Sequence, residues 1–527
     1  MPLRLTSRSG KVIAAAMTAG VALLATACGG GTSNAGGGGG GSGSGSGTGT
    51  GQTLNLAATQ GSFTNFNPWG AGDGINGYLW SNVALYDSLT KLNAQGQPVP
   101  SVATSWTVSG DKVTLQLRKG ITFSDGTPLN AAAVKANLDY GAANPSLAEC
   151  NAYIAGVKTT VLSDYSVQLT LPHPIPGLLQ DFAQCAGFIV SPKALANPSS
   201  LTSTPDGSGP YTLDKAATTP GQVYTYVRRP GYWDAPQFPW AKIVITAFST
   251  NTAADNAGRS GQVDGIQQLD PKDTSSGLSF VATQPVDYSG FWFTDVTGAV
   301  SKPLGSLQVR QAMNYAVDRQ AIATQLFGKY ADVSGSSPFN SAYLGYSTSL
   351  TNTYSYNPAK AKQMLAAAGY GKGFSVPVLC DPGDEQLCEA IAGYESKIGI
   401  TMQISVHSAD YITQMLSGKW PIVFGDYTLN PAELQTLTGI VGPSGFWNPR
   451  HNSDAAFNSL LSQIDTTSGT AAQTPLYTKL ATDIANQAWT IAPVFVSIVS
   501  AWNTSKVSVS TITGVPVPMI YDITPKS

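Results

Sequence analysis

Hydrophobic and polar positions along this chain repeat with two different periods, interleaved throughout. Val113, Leu115 and Leu117 alternate with Thr114 and Gln116, the period of a half-buried strand. Residues 165–171 (YSVQLTL) repeat that pattern, and residues 52–59 (QTLNLAAT) predict a first strand. Residues 62–69 (SFTNFNPW) read as a loop and residues 79–89 as a helix. Lys119-Gly120 and Ser124-Asp125-Gly126 are turn chemistry, because Gly accepts positive φ and Asp bonds its own backbone. Asn130 is placed to cap a helix over 131–140, with Val134 and Leu138 on one face. Farther on, Val309, Met313, Ala316 and Val317 form an apolar helical stripe. Asp318 can cap a second helix ending at Gly328. Asn357-Pro358 starts a helix that Gly369 stops, and alternation resumes from Ile400 to Val406. The chain therefore predicts a mixed α/β protein without an internal repeat.

The first residues follow neither period. Arg4, Arg8 and Lys11 precede a short apolar run from 12 to 24, which fits a signal peptide and is too short to span a bilayer. Ala25-Thr26-Ala27-Cys28 reads as a lipobox, with Cys28 the lipidated first residue of the mature chain. Residues 29–51 are almost entirely Gly, Ser and Thr, a flexible leash reaching on the order of 25–30 Å. The remaining residues, 52–527, exceed what one core normally serves, so two or three lobes are expected.

Composition narrows the function classes. Formal net charge is -2 with 11% charged residues, and no basic stripe points to nucleic acid. Ten Trp and 22 Tyr in so weakly charged a chain predict aromatic surfaces as well as an aromatic core. Besides Cys28 there are Cys150, Cys185, Cys380 and Cys388, an even number that fits two bridges in an exported protein. Local pairing, Cys150–Cys185 and Cys380–Cys388, is the economical choice over a zinc site, because no His lies near them at ligand spacing. His173, His407 and His451 are far apart in sequence, which disfavours a nickel or haem site. Nothing calls for a metal or cofactor.

A series of motifs then carries a resemblance. Pro100, Ala103 and Trp106 are followed by Leu117-Arg118-Lys119-Gly120 and by Phe123-Ser124-Asp125-Gly126-Thr127-Pro128-Leu129. Next come Gly207-Ser208-Gly209-Pro210-Tyr211, Arg228-Arg229-Pro230-Gly231-Tyr232-Trp233 and Ser260-Gly261-Gln262-Val263-Asp264. Residues 307–322 (LQVRQAMNYAVDRQAI), 356–370 and Ile398-Gly399-Ile400 complete the series. In this order they resemble bacterial extracellular solute-binding family 5, the peptide/nickel/oligosaccharide-type binding components of ABC importers.

The resemblance implies an α/β fold of the type II periplasmic-binding-protein class, a two-lobed clamshell with an extra inserted domain. Domain I would comprise 52–88, 206–287 and 488–527, domain II 89–205, and domain III 288–487. It implies a monomeric, non-enzymatic receptor that closes on a solute, most often a peptide. The receptor would deliver that solute to a permease and its ATPase subunits from the outer face of the cytoplasmic membrane.

By sequence order, the family's ammonium-binding region falls on residues 424–431 (FGDYTLNP). Asp426, Tyr427 and Asn430 are candidates there, although the usual preceding Trp is absent and Asn430 stands where an Asp is common. Ser62, Phe63, Thr64 and Asn67 occupy the loop that lines the family's pocket. Tyr288 and Trp292 sit at the crossover into domain III, and Trp447 lies in a loop facing the same region. Asp384 and Glu385 read as a solvated face.

Two alternatives use other features. Ser88-Leu89-Thr90-Lys91 fits S-x-x-K, the nucleophile motif of penicillin-recognising enzymes, and would make the protein an exported cell-wall-peptide hydrolase. A surface receptor that keeps the clamshell but feeds no transporter is the other.

Overall fold

The computed structural model describes residues 52–526, apart from 59–64, 70–74, 145–150, 152, 173–174, 176, 268–276, 342, 408–409, 429–436, 440, 444, 446 and 468–469. The described chain begins at β1 (Thr53–Ala58), helix Ile75–Leu85, β2 (Thr90–Leu92) and β3 (Pro98–Pro100). Four strands follow: β4 (Ala103–Ser109), β5 (Lys112–Leu117), β6 (Lys158–Ser163) and β7 (Ser166–Thr170), with helix Ala131–Ala143 between β5 and β6. Next are β8 (Tyr211–Leu213), β9 (Val223–Arg228), β10 (Lys242–Ala247), β11 (Gly265–Ile266) and β12 (Ser279–Ala282). They are followed by β13 (Asp287–Phe293), β14 (Ala331–Val333), β15 (Phe374–Cys380), β16 (Ile400–Val406) and β17 (Ile422–Thr428). Last are β18 (Thr490–Val496), β19 (Val499–Trp502), β20 (Val507–Val509) and β21 (Ile523–Pro525).

These strands form three larger sheets. A seven-stranded sheet runs β12-β19-β11-β1-β10-β9-β8, with β1 parallel to both β10 and β11. A six-stranded sheet runs β14-β18-β13-β17-β15-β16, and an antiparallel four-stranded sheet runs β4-β5-β7-β6. The seven- and four-stranded sheets share one apolar cluster, which joins Leu54 and Leu56 to Val113, Leu115 and Val167. The six-stranded sheet is covered on both faces. Tyr288, Trp292, Val423 and Tyr427 enter one cluster, while Phe291, Phe293, Ile422 and Phe424 enter another. Alternate residues of β13 and β17 thus feed opposite cores, as a pleated strand requires.

The chain passes between the two large sheets twice. β12 leads directly into β13, and β18 leads into β19. The two passages lie side by side: the Thr283 and Val286 N–H groups donate to the Ile498 and Val496 carbonyls, both at 3.0 Å. The Ile498 N–H donates back to the Thr283 hydroxyl at 3.0 Å. β18 belongs to the six-stranded sheet, so the chain returns between the sheets at Ser497–Ile498.

Several predicted elements form where the pattern places them, with identifiable caps. Asn130, Asp318 and Asn357 each accept a backbone N–H three residues on, from Ala133, Ala321 and Lys360. Helix Pro358–Ala367 is followed by Gly369 with φ 88°. The helix expected over 79–89 instead spans Ile75–Leu85. Its end is set by tertiary contacts that the pattern does not encode. The Leu85 carbonyl accepts the Gly209 N–H at 3.0 Å, and the buried Asp87 carboxylate accepts the Tyr232 hydroxyl at 2.6 Å. Burial raises the Asp87 pKa, and the bond from Tyr232 partly offsets that rise. Gly209 permits the approach, since a Cβ there would lie 2.4 Å from the Leu85 carbonyl carbon.

The recurrent motifs prove to be internal joints. Arg229 donates to the carbonyls of Ser208, Thr122 and Phe123, tying the seven-stranded sheet to the loop after β5. Asp264 accepts the Asn55 N–H at 2.8 Å and the Lys506 ammonium at 2.9 Å, tying β1 to the C-terminal segment. Arg310 donates to the carbonyls of Leu304, Gln487 and Ala488. Arg319 donates to the carbonyls of Asn314 and Tyr354 and to the Ser336 hydroxyl. Burial pulls both guanidinium pKa values down to about 10.

Cys380, at the end of β15, is bonded to Cys388 in helix Glu385–Ser396, and both are fully buried. Cys150 lies outside the described residues.

Two stability outcomes follow. Gly209→Ala should destabilise by about 2–3 kcal/mol in chemical denaturation, because the backbone of helix Ile75–Leu85 has no room to move. Cys380→Ser/Cys388→Ser should cost about 2–3 kcal/mol, the loop-closure value for so short a ring.

Candidate functional site

The candidate residues are best placed from β17 outward. It pairs antiparallel with β13, and Asp426 lies directly opposite Ser289. The Ser289 hydroxyl donates to Asp426 Oδ1 at 2.9 Å. Asp426 shares its strand face with Ile422 and Phe424, but it lies past the end of their apolar cluster and is exposed. Water reaches the carboxylate while the surrounding protein crowds it. That crowding, with the nearby charge of Asp381, pushes its pKa up to about 6, against the opposing bond from Ser289.

Tyr427, one residue on, points to the opposite face and is buried. Its ring tilts against Trp292 at 6.3 Å, and Trp292 meets Trp447 edge-on at 4.9 Å. Gly425 makes room for this stack, since a Cβ there would lie 2.3 Å from the Trp292 indole. Tyr288 is fully buried, bonds the Thr490 hydroxyl at 2.7 Å and packs on Phe495. Tyr288, Trp292 and Tyr427 therefore serve the core in this conformation, and Trp447 is half-buried beside them. Tyr288, Trp292 and Tyr427, read from position as ligand contacts, pack on the strand face opposite Asp426.

Asn67 is nearly buried, and its side-chain oxygen accepts the Trp69 N–H at 3.1 Å, which shapes its own loop. Ser62, Phe63, Thr64 and Asn430 lie outside the described residues.

The structure adds residues that the sequence reading passed over. Asp384 is not part of a solvated face. It closes the turn Pro382–Asp384 after β15, is half-buried, and has its pKa raised by burial and by the charges of Asp426 and Asp381. The Asp381 pKa is also raised by burial, while its carboxylate accepts the Gly383 N–H at 2.9 Å. The Tyr411 hydroxyl donates to the Phe424 carbonyl and feels all three carboxylates. The parallel pairing of β15 with β17 brings these acids together, and the Cys380–Cys388 bond holds their turn against its helix. The only sequence signal was the cysteine pair flanking the two acids.

Among the described residues, no group of three or more His, Cys, Asp or Glu could hold a metal ion. His407 pairs with Asp410 at 3.0 Å, and His451 bonds the Pro443 carbonyl at 2.9 Å. His173 lies outside the described residues.

The Ser88–Lys91 geometry removes the hydrolase alternative. The Ser88 hydroxyl donates to the Thr90 carbonyl at 2.5 Å. Lys91 pairs with Asp234 at 2.7 Å, bonds Gln237 at 2.9 Å, and sits 5.1–5.5 Å from the ring centroids of Trp233, Phe238 and Tyr521. Its ammonium is committed to that cage and is not placed to take the Ser88 proton.

Comparison with known proteins agrees with this architecture. The family described as bacterial extracellular solute-binding proteins, family 5 (middle) matches residues 97–446. The glutathione-binding protein GsiB of Escherichia coli (strain K12) is 28% identical over 465 residues, covering 81% of this chain and 86% of GsiB. The fold superimposes on DppA from Helicobacter pylori, solved with the peptide STSA, with TM-score 0.78 at 20% identity over 91% of this chain and 99% of DppA. NikA from Staphylococcus aureus, solved with Ni(L-His)2, gives TM-score 0.75 at 18% identity over 90% of this chain and all of NikA (100%). The chain belongs to family 5 of the bacterial extracellular solute-binding proteins, the non-enzymatic binding components of ABC importers.

Proposed function

We propose that this protein captures a small peptide or peptide-like solute carrying a free ammonium group, and that Asp426 receives that ammonium. The observation that carries the reading is Asp426 itself. It is an exposed carboxylate on β17 with a pKa pushed up to about 6, oriented by Ser289 and flanked by Asp381 and Asp384. An ammonium offers charge-assisted bonds to such a group and relieves the repulsion among the acids. Relatives whose names or bound ligands are peptides, glutathione-binding GsiB and DppA with STSA, support the same class.

The paired crossings at Thr283–Val286 and Val496–Ile498 would act as the hinge. A ligand bridging the seven- and six-stranded sheets would favour closure in proportion to the contacts it gains there. Domains I, II and III, as delimited from the resemblance, would be the moving bodies, with the return crossing at 497–498. Cys28, diacylated and followed by its leash, would hold the receptor at the outer face of the cytoplasmic membrane, since two acyl chains anchor stably where one does not. Among the described residues, no helix is long and apolar enough to cross a membrane.

Titration calorimetry against a library of free and N-acetylated di- and tripeptides, glutathione included, tests the cargo. Binding of free peptides with at least ten-fold loss on N-acetylation is expected; absence of heat with every peptide defeats the reading. Asp426→Asn should weaken peptide binding by ten-fold or more while leaving the fold intact by circular dichroism.

The pH dependence has a definite sign. Asp426 is protonated in the folded protein up to about pH 6, so peptide affinity should rise with pH through that value and flatten above it. The Asp426→Asn variant should lack this rise. Because the folded pKa exceeds the ordinary Asp value of 3.8, this residue's stabilising contribution is present at low pH and is lost as pH climbs from about 4 through about 6.

A further inference from the structure

The six-stranded sheet ends at β14, and among the described residues no strand pairs with its outer edge. Ala331, Asp332 and Val333 stand opposite Val496, Phe495 and Val494 in the antiparallel pairing with β18. On either side of this run, the Ser497 N–H donates to the Tyr330 carbonyl at 2.7 Å and the Ser334 N–H to the Pro493 carbonyl at 3.1 Å. Antiparallel pairing alternates bonded and non-bonded residues, so Asp332 turns its backbone groups toward β18 while Ala331 and Val333 turn theirs away. The N–H and C=O groups of Ala331 and Val333 thus point to the free edge. None of the four has a hydrogen-bond partner among the described residues.

Sheet edges are commonly covered or blunted. This one opens on a cavity of about 360 Å³, lined by all three β14 residues and, among others, by Ser341, Tyr346 and Thr351 of the segment that follows. The volume suits a small ligand. Among the described lining residues Asp332 is the one charged side chain. It is exposed and has no ion-pair partner among the described residues. Two donors and two acceptors on alternate residues of an edge complement the backbone of one further extended strand, which is how sheet edges take up peptides. A carboxylate that no lining cation matches favours a basic side chain on the peptide residue sharing its face.

We propose that the β14 edge binds a short extended peptide by adding it to the six-stranded sheet, and that Asp332 selects a Lys or Arg side chain in that peptide. The site is separate from Asp426, since β18 and β13 lie between β14 and β17. Asp332 lies in register with Phe495, Tyr288 and Tyr427, whereas Asp426 belongs to the next row with Ser289 and Val494. The two carboxylates therefore project from opposite faces of the sheet. Capture at β14 is through the peptide backbone, so it requires neither a free ammonium nor the cargo reading above.

Calorimetric titration with Ala-Lys-Ala, acetylated at its N-terminus and amidated at its C-terminus, tests the proposal. Saturable binding is expected, weaker than that of free peptides at Asp426 and about ten-fold tighter than binding of the blocked Ala-Glu-Ala counterpart. The blocked Lys peptide N-methylated at every amide should not bind. Val333→Pro deletes one edge donor and spares the ladder to β18, because Pro is accepted where its nitrogen faces away from the sheet; it should weaken binding about ten-fold. Asp332→Asn should erase the preference for Lys over Glu. Asp426→Asn should leave binding of the blocked peptide unchanged, which separates failure here from failure of the cargo reading. No saturable binding of the blocked Lys peptide, equal binding of its N-methylated form, or loss of binding in Asp426→Asn overturns the proposal. So does equal affinity in wild type and a folded Val333→Pro variant.

Discussion

The connection between the two large sheets depends on two extended segments that lie side by side where the chain leaves one sheet and returns to it. Thr283–Val286 and Val496–Ile498 satisfy each other's backbone groups, so the connection keeps its hydrogen bonds without a core of its own. Extended, mutually bonded segments can twist by small changes spread over several φ and ψ angles, whereas the sheets on either side are locked by packing. The amide of Asn340, which donates to the Pro285 carbonyl, ties the loop after β14 to the same crossing.

Elsewhere the molecule uses buried and half-buried polar groups as joints. Asp87, Arg229, Asp264, Arg310 and Arg319 each fasten elements far apart in sequence, mostly through backbone carbonyls and amides. Such groups are costly to bury unless fully bonded, so each specifies one arrangement of its partners. The acids near Asp426 are of a different kind. The charges of Asp426 and Asp381 add to the rise that burial gives Asp384, and the charge of Asp381 adds to that of Asp426.

Much of the fold was legible from local chemistry. The strand over 112–117, the turn at Asp125-Gly126 and the caps at Asn130, Asp318 and Asn357 were readable because each depends on residues within four positions of one another. The end of helix Ile75–Leu85 was not, because Gly209 and Tyr232 set it from more than a hundred residues away. The site shows the same division. Asp426 stood out as a carboxylate in the expected stretch, but Ser289, Asp381 and Asp384 joined it only through the pairing of β13, β15 and β17. Tyr288, Trp292 and Tyr427 were read as ligand contacts from position alone, and only strand alternation shows that they share one packed face.

By itself the sequence determined the alternation of strand and helix periods, the turn and cap chemistry, and the ordered motifs of the family. All of these are local, carried by neighbouring residues whose conformational preferences do not wait for the rest of the chain. Tertiary structure alone decided which side chain faces water on each strand, where the chain crosses between sheets, and that Lys91 is caged away from Ser88. It also brought Asp381, Asp384 and Asp426 into one another's field. Those outcomes depend on strand register and on contacts between distant segments, whose entropic cost is met only when the whole core assembles.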